Sequence, residues 1–353
     1  MGIKNLHKLM EKFSPNVYET IPLNVFAFKK IAIDISLYMF KYKTIFGDKW
    51  LNAFINLVVC LRKNDIHCVF IYDTAAPPEK EKEREERRSS RQKLEDKAVE
   101  LDRAIQLYKQ TGEITGKLDE ICYVQKHKLL SGGQKTLFDI KLAEETLKKL
   151  KSQVVSIKPE DFELTRELFD ILNVPYFSAP MEAETLCAHL TKVGVVDGVL
   201  SEDTDVLAYG TPMFLTKINT AANTCVLLIL DEILEELDMT YPQFLDVCIM
   251  CGNDYNKNIP KIGFVNSHRL IKEHNCIENI GLNTELDISI LNHERTRELF
   301  TLSESIPKDF ERVNFCGRPD YKRLQRFLFE NNCFISIQEI YKAYEPREIN
   351  FSE

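Results

Sequence analysis

Apolar residues along this chain alternate between two periods. Residues 29–34 (KKIAID) make a short β-branched run that ends in an acid, and residues 66–72 (IHCVFIY) are continuously apolar, as a strand buried on both faces would be. Between them, residues 37–46 are aromatic-rich and residues 50–63 space Leu, Phe, Ile and Val at helical intervals, which predicts two helices. The pattern then changes. Pro77-Pro78 stops the strand, and a long charged stretch follows (EKEKEREERRSSRQKLEDKAVELDRAIQLYKQ) in which apolar residues are sparse until Leu94. Thr111-Gly112 and Ser131-Gly132-Gly133-Gln134 divide residues 77–157 into three predicted helices. Read plainly, this is a solvated helical region laced by i,i+4 ion pairs.

From Pro159 the strand–helix alternation resumes. Residues 162–172 predict an amphipathic helix, 174–177 a short strand and 195–200 another strand. Pro180 suits the first position of a helix, so Glu182 and Glu184 are expected in that helix's first turn, where its dipole favours carboxylates. Residues 225–230 read as a buried strand, residues 227–237 and 241–250 mix strand and helix signals, and helices are expected over 267–274 and around the RLQRFLF run at 323–329. The alternation predicts an α/β fold, and in an open α/β sheet ligands bind beyond the carboxyl ends of the strands.

At 353 residues the chain can bury one large core or two smaller ones, and 44% hydrophobic with 28% charged residues is ordinary for a globular protein. No apolar run is read as long enough to span a bilayer, and the start shows no signal-peptide pattern; Met1-Gly2 lacks the Ser or Thr that myristoylation wants at position 6, which is Leu6. The ten cysteines lack a framework, which suits a reducing compartment. Cys248-Ile249-Met250-Cys251, a CxxC with no second pair, reads as buried helix cysteines rather than a zinc site. The net charge of −8 speaks against a nucleic-acid binder only weakly. Clustered carboxylates add to that total, bound cations would offset them, and the distribution of charge outweighs its sum.

Seven carboxylates carry the candidate chemistry: Asp34, Asp73, Glu182, Glu184, Asp203, Asp205 and Asp254, set in five short clusters. Any one Asp after a strand is ordinarily a helix cap or turn former. Three of the groups follow predicted strand ends, so one pocket could collect the acids, and self-repelling charge is gathered in a fold where a cation binds. Oxygen donors select hard divalent cations. A cage holding two ions about 3.5–4 Å apart points to phosphodiester hydrolysis without a nucleophilic side chain. No convincing triad surrounds the seven histidines, and His67 and His189, within apolar segments, read as structural.

Met1-Gly2-Ile3, Ile31-Ala32-Ile33-Asp34-Ile35-Ser36, Phe70-Ile71-Tyr72-Asp73 with Pro77-Pro78, Ala179-Pro180-Met181-Glu182-Ala183-Glu184, Ser201-Glu202-Asp203-Thr204-Asp205 and Gly252-Asn253-Asp254-Tyr255 resemble, in order and over nearly the whole chain, the flap endonuclease family of structure-specific 5′ nucleases (XPG/Rad2 type). The resemblance implies an α/β fold with a central, mostly parallel twisted sheet flanked by helices, a helical arch insertion and a helix–hairpin–helix region. The nuclease domain would cover residues 1–254, with N-terminal motifs at 1–76, the arch at 77–157 and internal motifs at 158–254; residues 255–353 would hold the duplex-binding hairpin and C-terminal helices. Each of the seven acids matches a family metal ligand, for two Mg²⁺ (Mn²⁺ as substitute). Lys80 and Arg87 best match the two functional basic positions of the arch, with Arg84 and Arg88 as competitors. Phe40 matches an aromatic that stacks on a base beside the scissile bond, with Tyr38 as the alternative and core packing as the plain reading of both. Gly2 matches a free N-terminus near the DNA.

Ile259, Lys261 and Gly263 fall in the segment resembling the family's helix–hairpin–helix, which holds duplex phosphates through backbone amides and a K⁺. Here the usual Gly-Ile-Gly-Pro-Lys reads Lys261-Ile262-Gly263-Phe264-Val265, so a glycine that permits close backbone approach is replaced. The stretch from Asp73 to Glu182 is longer than is usual in the family, and no sliding-clamp-binding motif is recognised. The implied activity is cleavage of 5′ flaps or branched DNA in replication and repair, leaving a 5′-phosphate and a 3′-hydroxyl, by a monomer with no membrane partner. A 5′→3′ exonuclease or bubble or junction nuclease is the alternative within the family, and a silent nucleic-acid-binding scaffold or an RNA-preferring nuclease the alternative outside it. An intracellular setting is expected, in a nucleus or at a viral replication site.

Overall fold

The computed structural model describes residues 2–121, 139–301 and 312–345. The predicted break at Ser131-Gly132-Gly133-Gln134 lies outside them. The chain divides into two compact units, one of residues 1–39, 49–81 and 158–353, the other of residues 40–48 and 82–157.

The first unit is built on a seven-stranded sheet: β1 (Glu19–Pro22), β2 (Lys30–Asp34), β3 (His67–Tyr72), β4 (Tyr176–Ser178), β5 (Gly198–Leu200), β6 (Met213–Asn219) and β7 (Thr224–Ile229). Their order is β1-β7-β6-β5-β2-β3-β4. β5, β2, β3, β4 and β6 run parallel, while β7 is antiparallel to both β6 and β1. The sheet is therefore mixed with a parallel centre. From β2 the chain proceeds to β3 and β4 on one side, then returns to β5 on the other, so the strand order reverses between β2 and β5. That is the switch point at which an open α/β sheet presents its ligand crevice.

In chain order the helices are α1 (Leu6–Phe13), α2 (Ile35–Phe46), α3 (Trp50–Lys63), α4 (Glu81–Thr111), α5 (Ile140–Gln153), α6 (Pro159–Leu172), α7 (Ala183–Lys192), α8 (Asp205–Ala208), α9 (Leu230–Leu237), α10 (Tyr241–Cys251), α11 (Phe264–His274), α12 (Ile277–Asn283), α13 (His293–Thr301), α14 (Tyr321–Glu330) and α15 (Ile337–Tyr344). The central strands β2, β3 and β5 are almost wholly buried, as their unbroken apolar runs required. Cys248 and Cys251 are buried on α10, as read.

Several details depart from the expectations. Two strands were not foreseen. β1 contains Pro22 and is tolerated because it lies at the sheet's edge. β6 loses its alternation at an irregularity between Thr216 and Asn219, where Lys217 takes φ 48°. β7 is only partly buried rather than a fully buried strand. Pro180 is not the first residue of a helix: α7 starts at Ala183 with Glu182 as its N-cap. Residues 179–181 instead run beside β3, with Ala179 N–H donating to Tyr72 O (2.8 Å) and Thr74 N–H to Met181 O (3.0 Å). The stretch Ile35–Lys63 is, contrary to expectation, long and apolar enough to cross a membrane. Half of its most apolar window is buried inside the protein, as in a core helix, and the 3₁₀ turn Gly47–Lys49 interrupts it.

The second unit is helical. The first part of α4 is exposed, and apolar packing begins only at Ala98, Leu101, Ala104 and Ile105, which close on Leu118, Ala143 and Leu147. Lys109–Glu144 (2.5 Å), Lys151–Asp102 (2.7 Å) and Lys117–Glu100 (2.9 Å) border that small core.

Candidate active site

The acids converge on the switch point. Asp34 ends β2, Asp73 follows β3, Glu182 and Glu184 open α7 after β4, and Asp203 and Asp205 follow β5. Asp254 lies in the turn after α10, beyond Gly252, whose φ of 81° is a glycine conformation.

Backbone amides orient the carboxylates. Asp34 Oδ1 accepts from Ser36 N–H (2.8 Å), and Asp203 Oδ1 accepts from Asp205 N–H (3.2 Å). Asp205 Oδ1 accepts from Ile3 N–H (2.5 Å). Asp73 Oδ1 accepts from Ala183 N–H (2.7 Å) and so caps α7 from a distant strand. The capping role expected of an isolated acid is thus real for Asp73, and it binds the β3 end to the helix carrying Glu182 and Glu184.

Asp34, Asp203 and Asp205 are buried. Burial raises the Asp34 carboxyl well above its ordinary range, and Asp73 adds to the shift. Glu184 is raised by burial and then by Asp203. Asp205 is raised by burial, Asp203 and Asp254, and burial raises Asp203 as well. Each acid thus feels the charge of others from distant parts of the chain. The site's own cation is Lys80, in the 3₁₀ turn Pro78–Lys80, whose Nζ stands 2.7 Å from Glu182 Oε1 and 3.7 Å from Asp254 Oδ2. Burial alone would lower its ammonium pKa, but the carboxylates of Glu184 and Glu182 outweigh that and hold it protonated. Among the described residues no three acid, His or Cys side chains stand at metal-ligating spacing. The carboxylates share a field with Lys80 between them. Their all-oxygen donor set nevertheless fits a hard divalent cation, given an inward adjustment of the side chains.

The structure adds two tyrosines that the sequence reading missed, and places Gly2 against the acids. Tyr255 O–H donates to Glu182 Oε2 (2.6 Å), and its hydroxyl also meets that of buried Tyr209. Gly2 takes φ 86°, and a Cβ there would fall 2.0 Å from Asp203 Oδ1, so the N-terminal segment touches the acid cluster as only glycine allows. A tyrosine directly after an acid motif was the available signal for Tyr255; Tyr209 offered none, since an aromatic in an apolar run reads as core.

The remaining expected residues lie elsewhere. Phe40, Arg84, Arg87 and Arg88 belong to the second unit, where Arg87 pairs with Glu83 one helical turn away and Phe40 is half-buried. Tyr38 is fully buried, as core packing predicts. Between α10 and α11, Ile259 has a buried side chain, Lys261 is exposed at φ 65°, and Gly263 is the exposed N-cap of α11. Lysine therefore occupies the left-handed conformation that glycine would hold without cost. Asn258 Nδ2 secures the turn by donating to Ile262 O (3.0 Å).

Comparison with known proteins bears on the family and the fold. The XPG N-terminal domain matches residues 1–95 and the XPG I-region residues 173–254. A probable RAD2-like endonuclease 369L of Invertebrate iridescent virus 6 is 36% identical, covering 99% of this chain and 93% of that one. Flap endonuclease 1 of Plasmodium chabaudi chabaudi is 25% identical, covering 96% of this chain and 70% of that one. Among solved structures, the catalytic core of Rad2 in complex with DNA substrate superposes with a TM-score of 0.66 at 17% identity, covering 97% of this chain and 100% of that one. Flap endonuclease-1 from Methanococcus jannaschii gives 0.61 at 22% identity, over 94% of this chain and 97% of that one. Matched by both XPG regions and, along nearly its whole length, by a RAD2-like endonuclease, this chain belongs to the XPG/Rad2 family of structure-specific nucleases.

Proposed function

We propose that the protein is a Mg²⁺-dependent 5′ nuclease that cuts branched DNA at 5′ flaps, in replication and repair. The observation that carries this reading is that acids from distant parts of the chain follow the strand ends at the switch point, with Lys80 between Glu182 and Asp254. Nucleases of this family are metal-dependent. In our reading Asp34, Asp73, Glu182, Glu184, Asp203, Asp205 and Asp254 hold two Mg²⁺, or Mn²⁺ in their place. Bound there, the ions would activate the attacking water and balance charge on the leaving oxygen.

The protein's own groups do the rest. Lys80, held beside Glu182, stabilises charge developing on the scissile phosphate, with Arg87 assisting and Arg84 and Arg88 nearby on the same helix as Arg87. Phe40 stacks on the base beside the scissile bond. Gly2 lets the N-terminus lie close to the cut. The turn at Ile259, Lys261 and Gly263 holds duplex phosphates through backbone amides and the Lys261 ammonium, with K⁺ bound at the hairpin; these contacts position the duplex without reading its sequence. The products carry a 5′-phosphate and a 3′-hydroxyl. The protein acts as a monomer, inside cells at a nuclear or viral site of DNA replication.

A double-flap DNA labelled at its 5′ end tests the reading, with EDTA and Asp205→Ala as controls. One cut near the junction, lost in both controls while Asp205→Ala still binds the flap, supports it. A ladder of mononucleotides would assign a 5′→3′ exonuclease instead. Binding without any cutting would make the protein a scaffold, and full turnover by Asp205→Ala would refute the metal assignment.

A further inference from the structure

Behind the acids lies a pair of phenols to which the proposed chemistry assigns no task. Tyr209 caps the C-terminus of α8 and is 1% exposed; Tyr255 follows Asp254 and is 8% exposed. Tyr255 donates its one proton to Glu182 Oε2 at 2.6 Å. The contact between the two hydroxyls is then fixed in direction: Tyr209 donates and the Tyr255 oxygen accepts. The other Glu182 oxygen, Oε1, accepts from Lys80 Nζ at 2.7 Å, and the same ammonium lies 5.0 Å from the centre of the Tyr255 ring. One tyrosine thus holds the carboxylate by its hydroxyl and the lysine by its ring face.

The rings have no room to turn. Phe300 of α13, fully buried, packs edge-on against Tyr209 at 4.9 Å and against Tyr255 at 5.3 Å. Phenylalanine at 209 would fill the same space, so packing does not explain its hydroxyl. Placing a hydroxyl in an apolar interior is costly unless it is bonded, and here its bond runs to Tyr255.

We propose that Tyr209 and Tyr255 form a positioning relay that sets the Glu182 carboxylate and the Lys80 ammonium in place before substrate arrives. This rests on the nuclease reading above. Neither tyrosine is a catalytic residue: Tyr255 acts through Glu182 and Lys80, and Tyr209 acts through Tyr255. Chained hydrogen bonds reinforce one another, so the inner phenol makes Tyr255 the better donor. A reacting group held in place loses less freedom on the way to the transition state.

The test uses the full chain with Tyr209→Phe, Tyr255→Phe and the double variant. Three readouts are taken: single-turnover cleavage of the 5′-labelled double flap in Mg²⁺, flap affinity in Ca²⁺, and the Mn²⁺ concentration at the midpoint of the Mn²⁺-induced rise in Tm. Melting in EDTA confirms that each variant folds. Tyr255→Phe is expected to slow cleavage by about 10- to 100-fold, the worth of a hydrogen bond to a charged group. Tyr209→Phe should cost about 3- to 10-fold, as a neutral hydrogen bond acting at one remove. Flap affinity should stay within about twofold, so the loss falls on the rate rather than on binding. The double variant should cut no more slowly than Tyr255→Phe, since the Tyr209 hydroxyl bonds to the site through Tyr255. The Mn²⁺ midpoint should rise in Tyr255→Phe and, by less, in Tyr209→Phe.

Losses that multiply in the double variant would overturn the relay, as would unchanged rates with unchanged Mn²⁺ midpoints. If the wild-type protein cuts no flap, the nuclease reading fails instead. The Mn²⁺ midpoints then still decide the relay: a shared upward shift supports it, and no shift overturns it.

Discussion

Arg297 is the side chain whose loss should most damage the helices that carry Asp254 and the hairpin. On α13, its Nε and Nη2 reach both oxygens of Asp246 on α10, each at 2.7 Å, while Nη1 and Nη2 reach Glu278 on α12 at 2.5 and 3.0 Å. One guanidinium thus fastens three helices. The two carboxylates are not equal partners. The Asp246 side chain is 4% exposed and keeps the Ile277 N–H (3.1 Å) as a further donor, whereas the Glu278 side chain is 43% exposed and screened by solvent.

Arg297→Met fills similar volume and leaves Asp246 as a buried charge without its cation, which costs about 3–5 kcal/mol when a buried pair is broken from one side. Urea unfolding at pH 7 measures it. The double variant Arg297→Met with Asp246→Leu should recover most of the loss, because both charges are then gone. The cost should also depend on pH. Arg297 lowers the Glu278 carboxyl from its usual range to about 2. A depressed carboxyl contributes stability above its unfolded pKa and loses it as pH falls through the folded value. The gap between wild type and Arg297→Met should therefore narrow from about pH 4.5 down to 2. A loss under about 1 kcal/mol at pH 7, or a gap that widens in acid, would refute the assignment of Arg297 as the clamp.

Three further outcomes follow from the same geometry. Lys80→Met should slow flap cleavage about 10²- to 10³-fold, as for loss of one group that stabilises transition-state charge, with flap affinity in Ca²⁺ little changed. Gly2→Ala should raise the Mg²⁺ needed for half-maximal cleavage, because its Cβ collides with Asp203 and Asp205; an unaltered Mg²⁺ titration would show the approach to be incidental. Lys261→Gly relieves a side chain held at φ 65° and should raise stability by about 1 kcal/mol in thermal melts, while lowering the salt slope of duplex binding by about one unit through loss of a cation.

Legibility in the sequence followed the range of the interaction. β2, β3 and β5 announced themselves because both of their faces are buried, which forces continuous apolar runs. α3 was readable from its long apolar run at helical length, ten of its fourteen residues being buried. β1 and β6 were hidden by a proline and by an irregularity, features that a sheet edge or a bulge accepts but a periodicity search discards. Pro180 suggested a helix start at the wrong place because the true start is set by Asp73, far away in sequence, whose carboxylate accepts from Ala183 N–H.

The same division holds for the site. By itself the sequence determined which acids exist, that all but Asp254 follow an apolar strand or stand at a helix start, and, through motif order, the family to which they belong. These are local properties, fixed by residue type and the neighbours along the chain. Only the tertiary structure decided that Lys80 stands between Glu182 and Asp254, that Gly2 presses against Asp203, and that Tyr209, a core aromatic by its pattern, reaches Glu182 through Tyr255. Each of those depends on which strand lies beside which, and strand order is set by the burial of whole elements against one another, which no short stretch of sequence encodes.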